Sequence, residues 1–284
     1  MTTEEAASST PRNAQDIAGK SHWDAVWNDG EIPTAADPAH NGLGNLYIRR
    51  MDAFFGQIFG TGARGRSMLE LGCGGSIWLP YFARRFGMNV SGIDYSESGC
   101  AREDEILRRS VVEGRIVCGD FFSPPTELLN SFDYAYSGGV AEHFRPTEAC
   151  IAAFAAFLKP GGTLITMVPN MTGLVGWLQK RLDKSVYDLH VPLTAEALVS
   201  AHEKAGLEIL HCGYFLSSGF GIVNASSSAG SRTSSKLKQR FIKALGRMSV
   251  ITWLVEDWSQ KLPATKLFSP QVYCVARKYV GSGK

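Results

Sequence analysis

Nowhere along this 284-residue chain do about 18 uncharged apolar residues follow one another, so no membrane-crossing helix is expected. The six cysteines, at positions 73, 100, 118, 150, 212 and 274, form no C-x-x-C pair, and their scatter excludes the spacing of a zinc site or a disulfide framework. Reduced thiols in a cytoplasmic protein, with no bound metal, are the expectation. An excess of charge of either sign is missing too, since 29 basic side chains face 27 acidic ones for a net charge of +2. Such a balance lacks the long-range field on which nucleic-acid binders draw, and no nucleic-acid partner is expected. Residues 1–16 carry neither the basic start nor the apolar run of a secretory signal; rich in Ser, Thr and Ala, they read as a disordered leader.

What the chain does have is a globular composition, 44% hydrophobic and 20% charged, and an ordered alternation of short apolar runs with longer helical stretches. Strands are predicted at 67–71, 89–94, 115–118, 132–136, 162–168, 207–214 and 271–276. Helices are predicted at 77–86, 97–109, 147–158 and 194–205, the last opened by Thr194 and Glu196. The fold class that follows is α/β: a doubly wound, seven-stranded, mostly parallel sheet with helices on both faces and a helical cap. Residues 17–65, with Trp23, Trp27 and Tyr47, read as an N-terminal helical cap, and 66–284 as the main domain, with cap insertions at about 169–193 and 215–269. In the second insertion a Ser/Gly-rich stretch, 217–235, precedes an amphipathic helix at 236–262. Six basic residues fall between Arg232 and Arg247, and no acid lies between Glu208 and Glu256.

The segment richest in chemistry is Met68-Leu69-Glu70-Leu71-Gly72-Cys73-Gly74-Gly75-Ser76, an apolar strand that runs into a glycine turn and then a helix. Main chain without side chains lets a ligand come close, and the first amides of a helix offer unpaired donors. About twenty residues on, Gly92-Ile93-Asp94-Tyr95-Ser96 puts a carboxylate just past the second strand, where it can accept hydrogen bonds from ribose hydroxyls. Dinucleotide-binding proteins use a similar turn, so a nicotinamide enzyme stays open at this point. The G-x-G-x-x-G spacing it favours is not met, because Ser76 and Ile77 follow Gly75.

These motifs, E-L-G-C-G, G-I-D-Y-S, C-G-D-F, F-D-Y-A-Y-S-G-G-V-A-E-H-F and F-L-K-P-G-G-T-L, resemble in order and spacing those of class I methyltransferases dependent on S-adenosyl-L-methionine. The resemblance spans roughly 67–213 and the last strand. It implies that Glu70 orients the loop near the methionine amine, that Gly72, Cys73 and Gly74 form the loop, that Asp94 and Tyr95 meet the ribose, and that Asp120 and Phe121 flank the adenine. Ser76 stands where the family has its third glycine. Ser137 ends the central strand at the carboxyl edge of the sheet, where ligands of open parallel sheets bind. Trp23 and Trp27, four apart on one helical face, resemble a segment that many small-molecule methyltransferases lay over the cofactor. Burial of that helix against the sheet is the equally open alternative.

Methyl transfer needs a nucleophile aligned behind the methyl carbon in a dry site, and a hydroxyl acceptor gains from a base. His190, in D-L-H-V-P-L-T, and His143, in A-E-H-F, are the candidate catalytic residues. Glu142 is expected to pair with Arg145, and His202 and His211 to serve packing or the surface. A lidded pocket favours a small-molecule acceptor, most simply a hydroxyl O-methylated in secondary metabolism. The alternatives are O- or N-methylation of a lipid-linked or saccharide acceptor at a membrane surface, reached through peripheral contact by 236–262, and a non-catalytic cofactor-binding subunit. The same helix also reads as a lid or a homodimer contact.

Overall fold

The computed structural model describes residues 14–28, 31–221, 223, 232–259 and 262–280. In chain order the elements are β1 (Gln15–Asp16), α1 (Lys20–Asn28), α2 (Leu46–Phe59), β2 (Ser67–Leu71), α3 (Trp78–Phe86), β3 (Asn89–Asp94), α4 (Glu97–Arg109), β4 (Gly114–Cys118), β5 (Phe132–Gly138), β6 (Phe144–Arg145), α5 (Thr147–Phe157), β7 (Leu158–Pro169), α6 (Leu174–Leu182), α7 (Lys184–Asp188), α8 (Ala195–Lys204), β8 (Leu207–Phe215), α9 (Arg232–Ser259) and β9 (Gln271–Lys278).

The main sheet has seven strands in the order β4-β3-β2-β5-β7-β9-β8. Neighbours from β4 to β7 run parallel, and β9 is antiparallel to both β7 and β8. The order reverses at β2, whose neighbours are β3 on one side and β5 on the other. In open α/β sheets ligands bind in the crevice at that switch point, outside the carboxyl ends of the strands.

Local sequence explains the joints. Ser96 caps α4, its hydroxyl accepting from the Gly99 amide at 3.1 Å, and Thr194 caps α8 through the Ala197 amide at 3.2 Å. Strand β2 is buried on both faces, as a central parallel strand must be: Met68 enters one core, while Leu69 and Leu71 enter the other. The first core is aromatic, with Phe55 and Phe59 of α2 packed on Phe82 and on Tyr136 or Tyr134 of β5. The second joins α5 and α8 to the opposite face through Phe154, Phe157 and Leu198.

Three sequence expectations change here. Residues 14–16 of the leader are ordered against the body: Gln15 and Asp16 pair antiparallel with Arg145 and Phe144, a non-local pairing that composition cannot signal. Residues 1–13 lie outside the described residues. Helix α2, expected in a cap, belongs to the core, because Met51 and Phe55 are fully buried and Phe59 nearly so. Helix α9 begins at Arg232 and ends at Ser259, so Leu262 falls beyond it. Of the Ser/Gly-rich stretch, residues 222 and 224–231 lie outside the described residues, as do the side chains of Lys236, Lys238 and Lys243.

Candidate active site

A cavity of about 510 Å³ opens at the switch point. Its floor at one end is the turn after β2. Gly72 has φ 72°, and a side chain there would meet Val140 Cγ2 at 2.4 Å. Gly74 is equally intolerant: a Cβ would lie 2.7 Å from Trp27 Nε1 and 2.9 Å from Asp94 Oδ2. The turn therefore passes bare main chain beneath Trp27 and beside Asp94. The Asp94 carboxylate is tied in place from both sides, Oδ2 accepting from the Gly74 amide and Oδ1 from the Ser96 amide, each at 2.8 Å.

Around this turn three acids are buried together. Glu70 accepts a hydrogen bond from Ser76 Oγ at 2.6 Å through Oε1, and its Oε2 has no partner. Glu103, on the inner face of α4, has no hydrogen-bond partner at either oxygen. No ion pair among the described residues reaches Glu70, Asp94 or Glu103. Burial pushes Glu70 up to about 8 and Glu103 up to about 9, in each case reinforced by the neighbouring acids, and raises Asp94 as well. Such a cluster is unfavourable unless a positive charge joins it.

Over this end lies α1, which contributes no fully buried residue. Trp23 and Trp27 are stacked 6.3 Å apart, and both line the cavity. The helix is held at its edge: Ser96 Oγ donates to Asp24 at 2.7 Å, and Tyr95 OH donates to Asp16. Tyr95 and Phe121 also line the cavity.

At the other end stand Glu142, His143 and His190. The His143 ring meets Trp23 edge-on at 4.9 Å and lies 4.7 Å from the His190 ring. His143 Nδ1 donates to the Leu189 carbonyl at 2.7 Å and His190 Nδ1 to the Val186 carbonyl at 2.8 Å, which leaves each Nε2 with its lone pair. Burial drives His143 down to about 4, with His190 adding to the effect, and burial also lowers His190. Glu142 is raised to about 8 by burial, and its Oε2 has no partner.

Of the residues marked in the sequence, the cavity gathers Trp23, Trp27, Glu70, Gly72, Gly74, Asp94, Tyr95, Phe121, His143 and His190. Three others it does not gather. Asp120 is exposed outside the cavity lining and closes its own turn by accepting from the Phe122 amide at 2.8 Å. Cys73 points into the core, where its sulfur abuts Gly92. Ser137 follows the two-residue period of β5 away from Tyr136 and Gly138, which do line the cavity, and is fully buried. Glu142 does not pair with Arg145, which is exposed; its Oε1 lies instead 3.7 Å from His143 Nε2. His202 is a packing residue, bonded to Thr166 and Leu198, and His211 is exposed. The sequence reading missed Glu103. The signal was present, because Cys100, Glu103, Ile106 and Leu107 share the inward stripe of α4 and one of the four is an acid.

Sheet order, glycine turn and acid after β3 together define the fold of class I methyltransferases. Residues 44–212 match the sequence model of the methyltransferase domain, and the chain belongs to that family, whose methyl donor is S-adenosyl-L-methionine. The chain is 32% identical over 119 residues to the ribosomal RNA small subunit methyltransferase C of Alcanivorax borkumensis, a match covering 39% of this chain but only 34% of that protein. It is 26% identical over 159 residues to the ubiquinone biosynthesis O-methyltransferase of Pseudomonas aeruginosa, covering 52% and 67% of the two. In fold it is similar to the Haemonchus contortus phosphoethanolamine N-methyltransferase 2, solved with S-adenosylhomocysteine, at a TM-score of 0.54 and 17% identity, over 92% of this chain and 57% of that one. The site fits the donor: unpartnered Glu70 Oε2 and the buried acids suit a cation, and bare main chain of the glycine turn lines the cavity beside them.

Two outcomes follow. If the turn holds the donor, Asp94→Ala and Glu70→Gln should each weaken S-adenosylmethionine binding by about ten- to a hundred-fold in calorimetry, the loss of a contact of roughly 1.5–3 kcal/mol; wild-type affinity in both would exclude the turn as the donor site. Glu103 binds its proton more tightly folded than unfolded, so its contribution is complete below the unfolded value of 4.5 and is lost as pH rises towards about 9. Glu103→Gln should therefore flatten a decline in stability of at most about 1.4 kcal/mol per pH unit between pH 6 and 9. Parallel melting curves for variant and wild type across that range would refute it.

Proposed function

We propose that this protein transfers the methyl group of S-adenosyl-L-methionine to a hydroxyl of a small molecule. The observation that carries this reading is the division of one cavity into two chemically distinct ends: an acidic end at the glycine turn, and an end where two neutral imidazoles converge. The bound donor supplies an electrophilic methyl group. The chain's part is to hold and align. Glu70 and Asp94 take the cationic and ribose portions, Trp23 and Trp27 exclude water from above, and Phe121 packs on the purine. His190, with His143 beside it, presents its Nε2 lone pair to the acceptor end of the cavity and promotes loss of the hydroxyl proton. Likeness to a ubiquinone biosynthesis O-methyltransferase supports attack by oxygen. A cavity of this size, closed on several sides by aromatic groups, supports a small acceptor over a macromolecule.

A second reading concerns where the acceptor is met. Met248, Ile251, Leu254 and Val255 of α9 are exposed, as are Arg240 and Arg247. The opposite side of the helix is docked on the body, with Trp253 Nε1 donating to the Ser218 carbonyl at 2.6 Å and Trp253 near Tyr47, a residue of the cavity. An apolar strip beside basic side chains next to a cavity suits adhesion to an anionic bilayer and delivery of an amphiphilic acceptor. No helix among the described residues is long and apolar enough to cross a membrane.

His190→Ala should lower turnover by about a hundred-fold while donor affinity stays within two-fold, the range general-base loss typically spans; turnover at the wild-type level removes His190 from the reaction. The acceptor itself is to be found by incubating the protein with labelled donor and cell extract and following the label by mass spectrometry. In flotation, the protein should rise with anionic vesicles at low salt and dissociate as salt is added; absence from those vesicles leaves α9 as a lid or a contact between copies.

A further inference from the structure

Among the described residues, Glu142, His143 and His190 are the one group of three metal-ligating side chains whose donor atoms converge, all within 4.8 Å of one another. Donors held about 2.1 Å from a first-row ion stand roughly 3–3.5 Å apart, so small side-chain rotations bring these three to ligand distance. Glu142 Oε1 and His143 Nε2 are already 3.7 Å apart.

The surroundings of the three are those a metal needs. A ligating imidazole usually donates its other N–H to a backbone carbonyl or a carboxylate, which fixes its tautomer and its aim. Both histidines do so, His143 to Leu189 and His190 to Val186. Two separate segments, the end of β5 and the close of α7, therefore present Nε2 lone pairs to one point. The carboxylate completes the set: Glu142 is 1% exposed, its Oε2 is unpartnered, and its main-chain carbonyl accepts from the Val191 amide at 2.6 Å, which locks the two segments together. All three side chains line the cavity, so an ion held there keeps coordination positions open towards a ligand.

We propose that Glu142, His143 and His190 form a binding site for one divalent first-row transition ion at the acceptor end of the cavity. Two imidazoles with one carboxylate and open positions favour such an ion over magnesium or calcium, which prefer all-oxygen sets. No motif spacing joins the three, because His190 is far along the chain from the other two.

The inference rests on the hydroxyl-acceptor reading and deepens it. An ion at this point lowers the pKa of an acceptor hydroxyl brought against it. The hydroxyl proton passes to solvent, the oxygen lone pair forms the new C–O bond, and the electrons of the breaking C–S bond remain on sulfur. The donor leaves as a neutral thioether, so atoms and charge balance without any redox partner. His190 then acts by ligating the ion, not by taking the proton itself.

The test uses the full chain, stripped with a chelator and titrated with cobalt(II), whose visible absorption reports nitrogen and oxygen coordination. Wild type should develop a saturable band at one ion per chain, displaced by zinc(II). His190→Ala and Glu142→Gln should bind cobalt about ten-fold or more weakly while keeping the wild-type circular dichroism, and His190→Asn replaces the alanine variant if that one fails to fold. No band in wild type, or a band that the variants retain, overturns the site. Donor binding is measured on the same stripped samples: protein that binds S-adenosylmethionine but no cobalt loses only the metal site. Protein that binds cobalt but no donor refutes instead the methyl-transfer reading.

Discussion

Three carboxyl groups buried without a cation organise this site. Glu70, Asp94 and Glu103 are buried about a single turn, and the fold supplies them with backbone amides and one hydroxyl but no cation. Natural cores avoid this arrangement because an unpaired buried carboxylate either costs free energy or takes a proton. Its persistence is understandable if the missing charge arrives with a ligand. A donor carrying a sulfonium and an ammonium would bring the charge these acids lack.

The rest of the architecture serves that turn. The doubly wound sheet reverses direction at β2, which opens a crevice, and the aromatic core beneath it, from Phe55 to Tyr136, keeps the strand ends from moving. Helix α1 closes the crevice from above with two indoles and buries no residue completely. Helices α6 and α7 bring His190 back to the first chain crossing, where His143 already stands. Reaction chemistry is thus assembled from the edge of the sheet outward, rigid at the donor end and built from insertions at the acceptor end.

Much of this was legible in the residues, and the reasons are local. Strands β2 and β3 and helix α4 have the bounds that apolar runs and capping residues indicated, because Ser96 and the flanking glycines punctuate the chain unambiguously. Strand β7 begins earlier than expected: Leu158 already pairs with Phe132 before the register with β5 shifts between Phe132 and Tyr134. What sequence could not supply is the direction in which a side chain points after long-range packing. Cys73 and Ser137 sit in the right motifs yet face the core, and Asp120 lies exposed where adenine contact was expected. The aromatic residues of 17–65 pointed to a helical cap, but only the sheet reveals that α2, through Met51, Phe55 and Phe59, is core rather than cap. Glu142 illustrates the same limit: its neighbour in sequence, Arg145, is not its neighbour in space.

The clasp of Asp94 by the Gly74 and Ser96 amides bears on the thermodynamics of recognition. The glycine turn after β2 and the start of α4 are fastened to one another through this carboxylate in the free chain. Little chain entropy is left to be lost on association, so the gain from each new contact is kept as affinity and not spent on ordering a loop. The wall around Asp94 is therefore set before a ligand arrives, and what binds there meets a surface that is already shaped.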